Sequence, residues 1–173
     1  AVGACVVDLT GAVRTQRITA SGHRARPVAD GLRAAAALAA EVVAHAGLPI
    51  AGVGLAVPGV VADGVLERAP NLPLWRDVDV VARAAAVLAP VVGDAPVSVG
   101  NEADLAALAE HRAGAAGDDF LYVSGGIGVG AGIVLGPNRY GKAESRVVRI
   151  VRDTTRHEIH DLNVSTSLRG AFE

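Results

Sequence analysis

The residue types and spacings that could do chemistry fall in a few short segments. The run Ser124-Gly125-Gly126-Ile127-Gly128-Val129-Gly130-Ala131-Gly132 offers successive backbone amides with no side chains in the way. Glycine permits the φ values with which such amides wrap a phosphate. A Rossmann fingerprint needs a helix after its glycines, and a strand pattern follows here. The choice is between a phosphate-facing turn and a β-hairpin whose glycines allow close packing. Further on, Gly136, Gly141 and Lys142 reproduce most of a Walker A spacing, but Ala143 stands where a Ser or Thr would hold magnesium. The segment after Lys142 is also β-patterned, whereas a P-loop feeds a helix N-terminus.

Asn101-Glu102-Ala103-Asp104 opens a helix directly after a strand, a place where a carboxylate general base can be presented at a sheet edge. The same residue types have a structural use. Asn101 is a good N-cap, and Glu102 and Asp104 complement the helix dipole. His157 and His160 lie in a strand-like segment at a spacing that sends them to opposite faces, so they make a poor metal pair. His23, His45 and His111 are isolated, and no metal site is expected. Cys5 sits in an apolar strand-like run and is expected to pack in the core. As the only cysteine, it cannot form an intrachain disulfide, which fits a reducing compartment.

These segments need elements to position them. Ala4 to Leu9 and Val13 to Ala20 read as a hairpin about Thr10-Gly11. Asp30 to Ala46 carries Leu32, Ala35, Ala36, Ala39, Val42, Val43 and Ala46 at helical spacing, ended by Gly47 and Pro49. Ile50 to Val57 and Val60 to Leu66 read as strands broken at Pro58-Gly59. Asp77 to Leu88 reads as a helix ending before Pro90. Val97 to Val99 is a short strand, Glu102 to Arg112 a helix, and Asp119 to Ser124 and Ala131 to Leu135 are strands. Strands alternating with helices imply an α/β layer with a mixed sheet. Ser145 to Arg152 and His157 to Leu168 read as a long antiparallel hairpin about Asp153 to Arg156.

Composition changes at Ile133 to Gly136. Before this point the chain is rich in Ala and has no lysine. After it Ala nearly vanishes, and Arg139, Lys142, Arg146, Arg149, Arg152 and Arg156 crowd in. Residues up to Pro137 carry 9 basic and 13 acidic side chains and the remainder 7 and 5, within a formal charge of -2. Neither part has the concentrated positive charge of a nucleic-acid surface. No apolar run reaches the roughly 18 residues of a membrane span, and no basic n-region of a signal peptide opens the chain. A cytoplasmic protein is the expectation. The chain contains no methionine, which suggests a piece of a longer protein.

The succession VGLAVPG (Val53 to Gly59), RAPNLPLWRD (Arg68 to Asp77), VGNEADLAALAE (Val99 to Glu110) and FLYVSGGIGVGAGIV (Phe120 to Val134) resembles the ROK family of bacterial sugar kinases and sugar-responsive repressors. The resemblance covers about residues 1–135. It implies an actin-like, ribonuclease H-like ATPase fold, a phosphate-facing role for Gly125, Gly126, Gly128 and Gly130, and a sugar pocket near Asn71 and Asn101. In ROK kinases the residue after the matched Asn is an Asp that takes the sugar hydroxyl proton, and here it is Glu102. A displacement near 1 Å can cost about a hundredfold in rate. The variant therefore resembles the regulator branch, in which sugar binding is the readout. The helix-turn-helix, first phosphate motif, zinc-binding segment and second sugar-binding segment that the resemblance implies are not found in the sequence.

The segment IVLGPNRYGKAESRVVRIVRDTTRHEIHDLNVSTSLRGAFE (Ile133 to Glu173) resembles the amino terminus of uricase, the cofactor-free urate oxidase of the tunnelling (T-fold) class. The resemblance places Lys142 at a proton-relay position whose threonine partner and urate-holding residues lie downstream in that family. The expected organisation is thus a partial ROK-like domain over 1–135 and a uricase-like β-hairpin segment over 136–173. Three functions are open: a sugar-sensing regulator domain without kinase activity, a uricase fragment acting on urate in purine catabolism and inactive alone, or part of a ROK sugar kinase. ATP is a cofactor only for the last. Homo-oligomers are expected of the full-length parents, and instability with cleavage near 137–140 is expected of this chain.

Overall fold

The computed structural model describes residues 1–20, 26–114, 119–125, 129–135 and 146–152. The described residues form three helices and ten strands, grouped into two compact units. Unit 1 comprises residues 1–55 and 61–99, and unit 2 comprises 56–60 and 100–173.

Unit 1 begins with a hairpin of β1 (Val2–Val7) and β2 (Val13–Thr19), paired antiparallel with Gly3 opposite Ile18 and Cys5 opposite Gln16. Helix α1 (Val28–Ala46) packs on this hairpin and on α2 (Val80–Val92), burying Val28, Leu32, Leu38 and Val42. It starts two residues before the sequence pattern suggests, because the Pro27 carbonyl already accepts from the amides of Asp30 and Gly31. It stops at Gly47, whose φ of 61° closes the last turn with an N–H to the Val43 carbonyl at 3.1 Å.

Cys5 is exposed, which corrects the expectation of core packing. Strand alternation decides this: Val6 takes the buried face of β1, and Cys5 and Val7 fall on the other with Ile18.

Helix α2 also departs from the pattern. Asp77 has a φ of 52°, outside the right-handed helical range, so the helix starts instead at Val80, capped by Asp79, whose carboxylate accepts from the Ala82 amide at 2.8 Å. It then runs through Pro90 to Val92. The proline removes one amide close to the C-terminal end, where the Ala86 carbonyl left behind is on an exposed residue. The remaining strands of this part are β3 (Val53–Val57), β4 (Val60–Ala62), β5 (Val65–Arg68), β6 (Val78–Asp79) and β7 (Val97–Asn101). Strand β3 pairs with β7, and β4, β5 and β6 form a three-stranded sheet in that order.

In unit 2, helix α3 (Glu102–Arg112) lies on a sheet of β8 (Phe120–Gly125), β9 (Val129–Leu135) and β10 (Arg146–Arg152), in the order β10-β9-β8. Both pairings are antiparallel, with Gly125 opposite Val129 and Ile133 opposite Val148. The first arm of the expected tail hairpin is therefore a strand added to β9. Its second arm, the turn before it and the 137–140 segment lie outside the described residues. The α3 face is small: Ala103 and Ala107 are buried, and β9 meets them with glycines. A Cβ on Gly132 would stand 2.8 Å from the Ala103 carbonyl oxygen and from the Ala107 methyl.

Candidate functional site

The α3 N-terminus is built as the sequence suggests, and more tightly. Asn101 leaves β7 in an extended conformation and its Oδ1 accepts from the amides of Ala103 at 2.8 Å and Asp104 at 3.2 Å. This is N-capping of two of the four amides a helix leaves open. The other half of the side chain is also engaged, since Nδ2 donates to the Gly59 carbonyl at 2.7 Å. Asn101 is 4% exposed and is the one buried polar residue among the described residues. Glu102 follows on the first turn of α3 and is exposed. A carboxylate there is held beside the positive end of the helix and open to solvent.

Gly59, the partner of Asn101, is the participant that residue types alone miss. Pro58-Gly59 reads in sequence as a break between strands. In the structure Gly59 is buried with a φ of 116°, a conformation that favours glycine. The only sequence signal was the Pro-Gly pair itself.

Asn71 lies in unit 1 on a pair of consecutive turns. The Leu72 amide donates to the Ala69 carbonyl at 2.9 Å, and the Trp75 amide to the Leu72 carbonyl at 2.8 Å. Trp75 anchors this segment: its ring is buried, and its Nε1 donates to the Arg26 carbonyl at 3.0 Å. Asn71 itself is half-buried.

Of the glycine run, Gly125 and Gly130 fall on β8 and β9, and Gly126 and Gly128 lie outside the described residues. Gly130 serves packing: a Cβ there would stand 3.2 Å from the Ala103 methyl. Lys142, His157, His160 and His23 also lie outside the described residues. His45 is exposed, with Nδ1 3.0 Å from the Glu41 carbonyl oxygen. His111 lies beside Phe120, with ring centroids 6.3 Å apart. No group of three metal-ligating side chains occurs among the described residues, and none of their helices is long and apolar enough to cross a membrane.

A second polar cluster belongs to the β1–β2 turn. The Asp8 carboxylate accepts from the Thr10 hydroxyl at 2.6 Å, from the amides of Thr10 at 2.8 Å and Ala12 at 3.1 Å, and from Arg14 Nε at 2.6 Å. These donors, the Thr10 hydroxyl above all, hold the Asp8 carboxyl well below the usual carboxylate range. Every donor is local, so the cluster shapes the hairpin.

Helices laid on sheets make this an α/β protein, and its likeness to solved ROK kinases gives it the actin-like ATPase kind of fold. The chain is similar to the ROK family glucokinase from Streptomyces griseus solved with glucose and AMPPNP, at 30% identity and a TM-score of 0.61, covering 82% of this chain and 43% of that one. Residues 2–141 match the ROK family, and the chain belongs to it. The match runs six residues beyond position 135, where the sequence resemblance ended. Among curated relatives it is 37% identical over 108 residues to the kanosamine kinase of Amycolatopsis mediterranei, covering 62% of this chain and 34% of the kinase. It is 37% identical over 90 residues to the xylose repressor of Caldicellulosiruptor bescii, covering 50% of this chain and 21% of the repressor. A separate short match, 61% identical over 44 residues, is to the uricase of Arthrobacter globiformis and covers 25% of this chain and 15% of the uricase. The chain thus spans about a third or less of each of these curated relatives.

Proposed function

We propose that this chain is the sugar-binding part of a ROK regulator, reading out a sugar without phosphorylating it. The observation that carries this reading is Glu102. It directly follows Asn101 at the start of α3, where the ROK kinases have the shorter Asp. A carboxylate longer by one methylene is misplaced for taking a proton from a hydroxyl positioned for Asp, and general-base catalysis depends on that reach. Binding tolerates such a displacement better than chemistry does. Asn71 and Asn101 are the candidate sugar-binding residues, and Gly125, Gly126, Gly128 and Gly130 the candidate phosphate-facing glycines. Similarity to both a kinase and a repressor leaves the choice with the carboxylate.

The test supplies ATP, magnesium and either glucose or xylose to the chain and follows sugar phosphate, with calorimetry of each sugar alongside. The expected result is heat of sugar binding without sugar phosphate. Sustained phosphorylation would replace this reading with the kinase one, the only case in which ATP is a cofactor.

The short, dense uricase match favours a second reading for the tail alone. In it, Lys142 is half of a proton relay, with urate as substrate and no cofactor. Such a relay needs its threonine partner, so the chain by itself is expected to leave urate absorbance unchanged. Urate oxidation on adding the downstream portion of the Arthrobacter uricase would support this reading, and failure of that complementation would count against it.

A further inference from the structure

We infer that Asn101 is a positioning residue, a two-sided latch that holds the Pro58-Gly59 turn onto the first turn of α3 and so sets the place of Glu102. The side chain is nearly used up. Its oxygen accepts from the Ala103 and Asp104 amides, and one of its two amide hydrogens goes to the Gly59 carbonyl. An amide oxygen has two lone pairs and both are engaged, which leaves one N–H for any ligand. Gly59 is buried, so its carbonyl depends on an internal partner, and an unsatisfied buried carbonyl is costly.

The chain path gives the contact its importance. Residues 56–60 belong to unit 2, although residues on both sides of them, 1–55 and 61–99, belong to unit 1. The segment is five residues long. A side-chain hydrogen bond from Asn101, 42 positions further on, joins it to the rest of unit 2. Beside the pairing of β3 with β7, the residue that caps α3 therefore also fastens this segment, and Glu102 is its immediate neighbour.

Asn101→Ser and Asn101→Asp separate the two sides of the latch. Serine caps a helix about as well as asparagine but is too short to reach Gly59. Aspartate keeps the capping oxygens but sets a carboxylate oxygen against the Gly59 carbonyl. Once protonated, it has the shape of asparagine and an O–H to donate. The first measurement is hydrogen exchange by mass spectrometry on peptides covering 56–62 and 101–108, each variant against the parent at matched pH. For Asn101→Ser the latch predicts at least tenfold faster exchange of the 56–62 amides, with 101–108 changed less than threefold. For Asn101→Asp it predicts fast exchange of 56–62 at pH 7 and recovery toward the parent near pH 4. Unchanged 56–62 exchange in both variants, or an Asn101→Asp effect independent of pH, would overturn the inference.

The second measurement is calorimetry with glucose and with xylose, and it rests on the sugar-binding reading. Positioning predicts weaker sugar binding by Asn101→Asp at pH 7 with recovery at low pH, in step with 56–62 exchange. Loss of sugar binding without any change in 56–62 exchange would leave Asn101 a sugar ligand only and overturn the latch. Absence of sugar binding in the parent counts against the sugar reading alone and leaves the exchange arm to decide the latch.

Discussion

The indole of Trp75 fills the space that a side chain at Gly31 would need, and the atoms in the way are Cζ2 and Cη2 of its six-membered ring. Helix α1 thus carries a glycine in its first turns where alanine would otherwise be better by about 1 kcal/mol. Gly31→Ala is expected to destabilise the protein by about 1–2 kcal/mol, because the overpacking penalty exceeds the propensity gain. Urea denaturation would show it as a lower midpoint, and a higher midpoint would mean that Trp75 is free to move. Trp75→Ala should cost about 3–5 kcal/mol and loosen the turns that carry Asn71.

Between α3 and β9 the tolerance is equally small and graded along the strand. A Cβ at Gly132 meets the Ala103 carbonyl and the Ala107 methyl at 2.8 Å, whereas one at Gly130 meets the Ala103 methyl at 3.2 Å. Gly132→Ala should lower stability by about 1–3 kcal/mol, with Gly130→Ala costing less. Thermal melting of the two variants side by side checks the order. Equal melting temperatures would show that α3 can shift off the sheet.

Glu102 and Asn101 are neighbours with opposite expected sensitivities. Exposed Glu102→Gln removes a charge beside the helix N-terminus and should cost no more than about 0.3–1 kcal/mol. Asn101→Ala removes a cap worth about 0.5–2 kcal/mol and leaves the buried Gly59 carbonyl unpaired at about 1–3 kcal/mol. Chemical denaturation of both variants should separate them clearly. Comparable losses would mean that the capping interaction contributes little.

The β1–β2 turn makes one pH-dependent contribution to stability. Hydrogen bonds from Thr10, Ala12 and Arg14 depress the Asp8 carboxyl in the folded state. A depressed carboxyl stabilises the fold at pH above its unfolded value of about 3.9, and that contribution is lost as pH falls through the folded value. An NMR titration of the Asp8 side chain should show no protonation around pH 4. Asp8→Asn should exchange its turn amides faster than the parent at pH 6, with the difference shrinking toward pH 2. A titration midpoint near that of free aspartate would refute this.

The elements with strong local signals were legible in the sequence. The apolar stripe of 30–46 with Gly47 behind it, and the Asn101 cap before 102–112, each combine periodicity with an end signal inside one short window. The start of α2 is not legible in the sequence, because Asp77 and Asp79 are the same residue type and only backbone conformation tells the cap from the turn. Cys5 is exposed although its run is apolar, because such a run does not reveal which of its faces a helix covers. At the site, Asn101 and Glu102 stood out by type and spacing. The partnership with Gly59 did not, since it joins residues 42 positions apart and involves a backbone carbonyl.

The interleaving of 56–60 with 100 onward also governs the order in which this protein can be made. A chain emerging from the ribosome presents the Pro58-Gly59 turn about forty residues before Asn101 exists to receive it. Unit 2 cannot close until β7 and α3 have been synthesised. Any single cut that removes residues 100 onward therefore also strands five residues within what is left. Neither unit can be obtained free of the other's residues by truncation at one peptide bond.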